Sequence, residues 1–206
     1  ITTGIRTFNA SSLVVSGTTT LGNTLNFNGV NARFAGAVDT AVSGLGALNI
    51  NNTGETRFEN GVGQTRALAS LRTTAATTLL RGSMRTLATG QTWFSGLLRV
   101  DSAPTGVTTI DTGRIFVGKD LYTDGAAAGP ANLSLIARSD PSIYTAPIRI
   151  GGNIGVSSTS PDSAQRIGAL SIGVGGPTPQ TSTIVLARTF DSLGQIRAAG
   201  VTPGEQ

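Results

Sequence analysis

Apolar and polar residues alternate along short segments of this chain. In Leu25-Asn26-Phe27-Asn28 and in Leu48-Asn49-Ile50-Asn51, every second side chain is apolar and the intervening ones are asparagine. Alternation with a period of two predicts β-strands that bury one face and expose the other. Segments rich in glycine or asparagine separate these runs, which predicts tight turns between short strands.

The alternating segments return at a short interval. Further apolar positions follow each of them, and the set recurs at roughly 21 to 24 residues, a period typical of repeat proteins. Successive sets are Leu25, Phe27, Phe34 and Val38; Leu48, Ile50, Phe58 and Val62; and Leu71, Leu80 and Met84. Such recurrence indicates a solenoid, in which each unit buries its apolar face against its neighbours. We therefore expect two interior columns, made of Phe27, Ile50 and Leu71 and of Phe34, Phe58 and Leu80.

A longer duplication overlies this short period. The segment TGIRTF (Thr3 to Phe8) returns as TGQTW (Thr89 to Trp93), and further short matches follow in the same order. The duplication predicts a first long repeat over residues 1–84 and a second, insertion-bearing repeat of the same solenoid over residues 85–188. Residues 189–206 depart from the pattern and are predicted to be a non-repeat tail or linker.

Composition favours an ordered β protein with a thin core. Of the 206 residues, 38% are apolar, 13% are charged and 28 are glycine. Threonine and valine, which fit pleated strands better than helices, are plentiful. Because cysteine is absent, disulfides, thiolate metal sites and a cysteine nucleophile are excluded. Ile1 falls inside a repeat motif, so we expect the chain to be a piece of a longer chain or a mature chain cut from a precursor.

Hydropathy and charge argue against two classes of partner, membranes and nucleic acids. No apolar run approaches the roughly 18 residues of a membrane span, so membrane insertion is not expected. The formal net charge is +4, and the basic residues are scattered along the chain. A nucleic-acid-binding domain concentrates its basic residues in patches with interleaved aromatics, so nucleic acid is not expected as a partner either.

Several motifs resemble repeats of large bacterial exoproteins. They are Arg57 to Gly63 (RFENGVG), Ala67 to Leu71 (ALASL) and Thr89 to Trp93 (TGQTW). Together they resemble the repeats of filamentous haemagglutinins and autotransporter adhesins, closely over residues 1 to about 100 and loosely over residues 101–188. The resemblance implies a right-handed parallel β-helix in a secreted or cell-surface fibre of a Gram-negative bacterium.

Candidate catalytic chemistry is sparse. Histidine is absent, which removes the commonest general base and metal ligand, and the 11 carboxylates form no calcium-loop pattern. The closest carboxylate groupings are Glu55/Glu59, Asp101/Asp111 and Asp120/Asp124. Each pair stands beside turn residues, so the favoured interpretation is solvated carboxylates in turns. Since β-helical polysaccharide lyases and hydrolases do work with carboxylates, these positions carry the alternative hypothesis of an enzyme. We predict no enzymatic activity, no metal and no cofactor.

Three arginines suggest a possible binding surface. Arg33, Arg57 and Arg81 are evenly spaced, so rungs of about 24 residues would place them in one outward column, roughly 5 Å apart. Stacked like charges repel unless anions lie between them. One hypothesis is that they pair with Glu55, Glu59 and Asp39; the other is that they form an anionic-glycan stripe.

The single tryptophan allows two interpretations as well. Trp93 could stack against a sugar ring, but it aligns with Phe8 of the first repeat, which favours interior stacking. Taken together, the patterns favour a structural and adhesive segment of a fibre. Its expected partners are neighbouring repeats or copies of itself in head-to-tail contact, with host or matrix glycans as further candidates. The alternatives are a β-helical polysaccharide-active enzyme and a subunit of a phage or pilus-like fibre.

Overall fold

The chain folds as a parallel β-solenoid, which confirms the predicted fold class. The computed structural model describes residues 4–101, 106–123, 131–138, 147–155, 167, 170–174, 184–186 and 196–199. Within these residues every regular element is a strand and every pairing of neighbouring strands is parallel. This part of the chain contains no helix that could cross a membrane.

Successive strands wind around three faces. They are β1 (Arg6–Asn9), β2 (Ser12–Val15), β3 (Thr19–Leu21), β4 (Leu25–Gly29), β5 (Asn31–Phe34), β6 (Val38–Thr40), β7 (Ala47–Asn52), β8 (Glu55–Phe58), β9 (Ser70–Thr73), β10 (Thr77–Leu80), β11 (Met84–Arg85), β12 (Gln91–Phe94), β13 (Leu97–Val100), β14 (Val107–Thr112), β15 (Arg114–Val117), β16 (Leu121–Thr123), β17 (Asn132–Ala137), β18 (Ile148–Ile150), β19 (Leu170–Val174), β20 (Ile184–Leu186) and β21 (Ile196–Ala199).

Three sheets form the faces. Sheet A contains β1, β4, β7, β9, β12, β15, β18 and β20 in that order, and sheet B contains β2, β5, β8, β10, β13 and β16. Sheet C consists of β3 with β6 and of β11, β14, β17, β19 and β21. Val62 bridges Val38 on one side and Met84 on the other, and so joins the two parts of sheet C.

The rung length follows the predicted period at first and then increases. In sheet A, the equivalent places Leu25, Leu48, Leu71, Thr92 and Ile115 follow one another at nearly even intervals. The next two, Ile148 and Ile184, lie much further along the chain. The register of the sheet A strands is kept across these longer intervals.

The predicted domain boundaries stay predictions. β11 spans the expected boundary between the two long repeats, so one rung of sheet C contains residues of both. The tail predicted over residues 189–206 lies outside the described residues apart from β21, which pairs with β19.

One predicted interior column is confirmed and the other requires a correction. Phe34, Phe58 and Leu80 pair in register, and the two phenyl rings stack with centroids 5.4 Å apart. Leu71, however, pairs with Leu48, and the residue that follows Ile50 in its column is Thr73. A threonine fits this buried place because its hydroxyl lies 2.7 Å from that of Thr78. The prediction missed it by counting apolar residues only.

Asparagine side chains form ladders on the outer face of sheet A. The amide of Asn28 donates to Asn9 at 2.7 Å, and that of Asn51 donates to Asn28 at 3.0 Å. In the neighbouring column, Asn49 donates to Asn26 at 2.9 Å. Such ladders satisfy identical side chains across parallel, in-register strands. The alternating asparagines of the sequence therefore connect rungs to one another.

Glycines line the corner between sheets B and C, where successive rungs approach closely. A Cβ atom added to Gly36 would lie 2.4 Å from the carbonyl carbon of Gly17 in the rung below. One added to Gly82 would lie 2.5 Å from the backbone nitrogen of Gly61. At Gly17 itself, in the first described rung, the same atom would meet nothing within 4 Å. We call Gly17, Gly36, Gly61 and Gly82 the glycine corner.

The first described rung leaves part of the apolar interior uncovered. Phe8 occupies the interior column of Phe27, yet 46% of its surface is exposed. Leu13 and Val15 are partly buried against the core from the same rung. By contrast, Phe27 and Phe34 in the next rung are fully buried. The end of the described stack thus presents apolar side chains beside open strand edges.

Candidate functional site

The structure places two of the three predicted arginines in one column. Arg33 and Arg57 pair directly in sheet B. Arg81 does not continue the column, because Phe58 pairs with Leu80 and Leu79 therefore takes the place next to Arg57. The predicted column of three guanidinium groups is wrong on this point. Arg81 lies one column further along the sheet, beside Glu59.

All three arginines are engaged by carboxylates. Arg33 contacts Glu59 at 3.2 Å and Arg57 contacts Glu55 at 2.6 Å. Arg81 contacts Glu59 at 2.6 Å and Asp101 at 2.8 Å. We call these six residues the sheet B ion-pair network.

The remaining predicted partner, Asp39, has a different role. Its carboxylate accepts the backbone N–H groups of Thr65 at 3.0 Å and Arg66 at 3.2 Å. Asp39 therefore fixes the connection of the next rung and takes no part in the ion-pair network. Asp120 acts in the same way, since its carboxylate accepts the N–H of Asn153 at 2.8 Å.

Leu79 is an apolar residue on the outer face of sheet B that is nevertheless buried. It occupies an outward position of β10, yet none of its surface is exposed. Its neighbours in the adjacent rungs are Arg57 and Arg99. Long arginine stems cover apolar surface while their charged heads reach water. Sequence patterns do not reveal this arrangement, because an apolar residue at that place predicts an inward position.

Glu59 is the carboxylate at the centre of the network. Burial raises the pKa of Glu59, but the hydrogen bonds and charges of Arg81 and Arg33 together lower it by more. The pKa of Glu59 is therefore below its ordinary value of 4.5. A lowered folded-state pKa contributes stability that is present above the unfolded pKa and is lost as pH falls through the folded pKa. Glu59 therefore stabilises the fold at neutral pH and ceases to do so in acid.

We expect Glu59→Gln to lower the melting temperature at pH 7 by roughly 2–4 °C, the shift that about 1 kcal/mol produces in a domain of this size. The variant should lose less additional stability than the wild type between pH 5 and pH 3. Thermal unfolding followed by circular dichroism at a series of pH values measures both effects. Glu55→Gln, which removes a carboxylate that pairs with one arginine only, is the control. Parallel pH profiles for the wild type and Glu59→Gln would contradict the prediction.

Trp93 lies on the outer face of sheet A, so the predicted interior stacking is wrong. Phe94 takes the interior place in the column of Phe27, Ile50 and Thr73. The indole of Trp93 is half-buried and stacks on Phe116 of the next rung, with centroids 3.8 Å apart and planes inclined by 21°. Its Nε1–H donates to the Ser95 hydroxyl at 3.0 Å.

Arginines extend this aromatic pair on both sides. The guanidinium carbon of Arg72 lies 5.9 Å from the centroid of Trp93, and that of Arg149 lies 5.9 Å from the centroid of Phe116. The four residues occupy the same place in four consecutive rungs. We call Arg72, Trp93, Phe116 and Arg149 the arginine–aromatic column. The long stretch of sequence between β15 and β18, which contains β16 and β17, hides this alignment.

The arginine–aromatic column carries two positive charges that the described residues do not compensate. Among the described residues, no carboxylate forms a salt bridge with Arg72 or Arg149. The described carboxylates lie on sheets B and C or at their corners; they are Asp39, Glu55, Glu59, Asp101, Asp111 and Asp120. Within the described residues, the outer face of sheet A is therefore cationic around the aromatic pair, whereas the arginines of sheet B are largely neutralised.

A cavity of about 450 Å³ lies on the outer side of sheet C. Its lining residues are Gln64, Ser83, Met84, Arg85, Thr109, Asp111 and Arg138. Arg138 binds Asp111 through two nitrogens, with its Nη2 2.9 Å from Oδ2 and its Nε against Oδ1. The hydrogen bonds and charge of Asp111 raise the pKa of Arg138. The cavity is polar, and its one acid is held by a guanidinium.

The carboxylates that carried the enzyme hypothesis are dispersed. Asp101 contacts Arg81 on sheet B, Asp111 binds Arg138 on sheet C, and Asp120 is buried at the corner before β16. Asp124 lies outside the described residues. No group of three acids or other metal-ligating side chains comes together within the part of the chain that the structure describes.

Comparisons with known proteins give no relative for this chain. No protein-family model, no curated protein and no solved structure matches it.

Proposed function

We propose that this chain is a structural and adhesive segment of a secreted bacterial surface fibre, without catalytic activity. The observation that carries the proposal is the continuous stack of parallel rungs, in which interior columns and outer side-chain ladders run from one rung to the next. A stack of this kind sets a fixed distance per rung, because its strands are about 4.8 Å apart. It separates its ends rigidly and leaves its connections free to vary.

The motifs that resemble haemagglutinin and adhesin repeats support the same proposal. They favour a location outside a Gram-negative cell or on its surface. The absence of cysteine suits a chain that is exported before it folds. The partners that we propose are neighbouring repeats or further copies of this chain, together with glycans of a host or matrix.

The polysaccharide-active enzyme remains the alternative with the clearest chemistry. A glycosidase needs two carboxylates facing one bond, about 5 to 9.5 Å apart. The acids Asp101, Asp111 and Asp120 are each bound by another group of the protein. Asp101 and Asp120 flank opposite ends of the sheet B strands, and Asp111 lies on sheet C. This dispersal favours the structural role. A phage or pilus-like fibre subunit is a variant of the structural role, and no described residue distinguishes it.

Association through the end of the stack is the expected solution property of a fibre segment. The first described rung combines open strand edges with exposed apolar surface on Phe8, and such an edge is a template for another strand. A head-to-tail contact of this kind does not close on itself. We expect sedimentation velocity of the purified 206-residue chain to show species that grow with concentration. Phe8→Lys, which places a charge on the end rung, should reduce this growth at least severalfold.

Val107→Lys is the matched control, because Val107 is also exposed but lies within sheet C. A strictly monomeric chain at high concentration would exclude self-assembly. Incubation of the same preparation with polygalacturonate, followed by measurement of new reducing or unsaturated ends, tests the absence of catalysis. Depolymerisation that Asp111→Asn abolishes would overturn the proposed function in favour of the enzyme.

A further inference from the structure

The arginine–aromatic column is an uncommon surface for this chain. Only ten residues are aromatic, and four of the seven phenylalanines are fully buried in the core. Trp93 and Phe116 instead stack on the outer face of sheet A, and Arg72 and Arg149, both exposed, lie over their free faces. An aromatic pair placed on a solvated sheet between two cations that no described carboxylate pairs with calls for an explanation beyond folding.

We propose that this column binds an acidic polysaccharide, whose carboxylate or sulfate groups are held by Arg72 and Arg149. This assignment rests on the proposed adhesive function and names the class of glycan that it recognises. A guanidinium group that lies over an aromatic face keeps its in-plane N–H donors free at its edge. The aromatic pair thus orients both cations while leaving their hydrogen-bonding edges available to an anion.

The spacing of the column suits an extended polymer. Arg72 and Arg149 are separated by three rung steps, roughly 14 Å along the solenoid axis. That distance is longer than one sugar unit, so a single small anion does not reach both cations and a chain of acidic sugars does.

Small residues lie beside the aromatic pair. Ser95, Gly118 and Gly151 occupy the neighbouring outward column in three consecutive rungs, since Gly118 follows Val117 and pairs back to Phe94, and Gly151 pairs back to Val117. None of these three residues has a side chain large enough to cover the rings from that side.

The same geometry disfavours single-stranded nucleic acid, which is the other polyanion that uses arginine and aromatic side chains. Bases bind by stacking on open ring faces. Here one face of Trp93 is covered by Phe116 and the other by Arg72, and Phe116 is enclosed in the same way by Trp93 and Arg149. A base would have to displace an arginine to stack on either ring, whereas an acidic sugar needs only the guanidinium edges.

Trp93 supplies the readout, because it is the only tryptophan of the chain. We would titrate the 206-residue protein with polygalacturonate, dextran sulfate, neutral dextran and oligothymidylate at low salt, and follow tryptophan emission. The expected result is a saturable change with one or both acidic polysaccharides and none with dextran, weakening at about 0.5 M salt because ions screen the contact. Response to polygalacturonate alone or to dextran sulfate alone identifies carboxylate or sulfate as the bound group.

Variants test whether the column itself binds. Arg72→Gln combined with Arg149→Gln should lower the affinity at least tenfold without changing the circular-dichroism spectrum. Arg6→Gln combined with Arg85→Gln removes the same charge from exposed arginines elsewhere and should leave the affinity within about twofold. Equal weakening by both double variants would show that net charge alone is responsible and would overturn the assignment. So would the absence of any response to both acidic polymers, or oligothymidylate binding as tight as theirs.

These outcomes are independent of those that test the proposed function. If the chain self-associates, depolymerises nothing and binds neither acidic polysaccharide, the assignment of the column is overturned and the structural role stays in place. Depolymerisation of polygalacturonate, with Trp93 responding to the substrate, would uphold the binding surface and overturn the structural role.

Discussion

Ile50→Asp is expected to abolish cooperative folding of the chain at neutral pH. Ile50 is fully buried and lies between Phe27 and Thr73 in the interior of sheet A. The buried residues of the core are apolar apart from the remote Asp120 and a few uncharged polar residues such as Thr73, so a carboxylate there has no cation to pair with. An uncompensated buried charge costs roughly 3–5 kcal/mol, a large part of the 5–15 kcal/mol by which a folded domain is stable.

Urea unfolding followed by circular dichroism measures this effect. Val14→Asp is the matched control, because Val14 lies in the outward column of sheet B and is 60% exposed. It should change the free energy of unfolding by less than about 1 kcal/mol. Burial favours the neutral acid, so the Ile50→Asp variant should recover part of its structure near pH 4. Equal stability of the two variants at pH 7 would mean that the interior columns are not closed to solvent.

Gly82→Ala is expected to cost about 3 kcal/mol, although it adds a single methyl group. In the glycine corner the new Cβ would lie 2.5 Å from the backbone nitrogen of Gly61 and 2.6 Å from the carbonyl carbon of Asn60. A flexible side chain could move away, but these are backbone atoms that are fixed by the rung below. Overpacking of rigid surroundings costs typically about 1–3 kcal/mol, and the contact with backbone places this case at the upper end.

Gly17→Ala is the internal control, because it makes the same change at the same corner where a Cβ meets nothing within 4 Å. Alanine restricts the unfolded chain more than glycine does, so Gly17→Ala should leave stability unchanged or raise it by a few tenths of a kcal/mol. Thermal unfolding of the two variants side by side compares them. A loss of stability that is equal at both positions would attribute the effect to backbone conformation and contradict the steric argument.

The fold could be predicted because the period of apolar residues survives variation in rung length. The equal steps from Leu25 to Leu48 and from Leu48 to Leu71 indicate the length of the rung, and the alternation within each strand indicates its buried face. The places of individual side chains were harder to predict. Thr73 points inward although it is polar, and Leu79 occupies an outward position although it is apolar. Hydrophobicity alone does not distinguish these two cases.

The candidate binding surface was missed because it depends on the register of the strands. Trp93 and Phe94 are adjacent aromatics, so a shift of one residue in the alignment exchanges the interior and exterior side chains. The column of Arg33, Arg57 and Arg81 failed because one rung is shorter than the interval between the arginines. Arg149 follows a much longer rung, so no short period connects it with Arg72. Which side chains share an outer column of a solenoid depends on the exact register of its strands. That register depends on the number of residues in each rung.

The parallel stacking also determines how the molecule responds to force. Its interstrand hydrogen bonds run along the solenoid axis, so tension on the two ends loads the bonds of a terminal rung first. Each rung contacts only its neighbours, and one can therefore detach without loosening the rest. A released rung of about 23 residues, as between Leu25 and Leu48, adds roughly 75 Å of extended chain. Under a pulling load we therefore expect the protein to extend in steps of one rung and to refold onto the intact stack when the load falls.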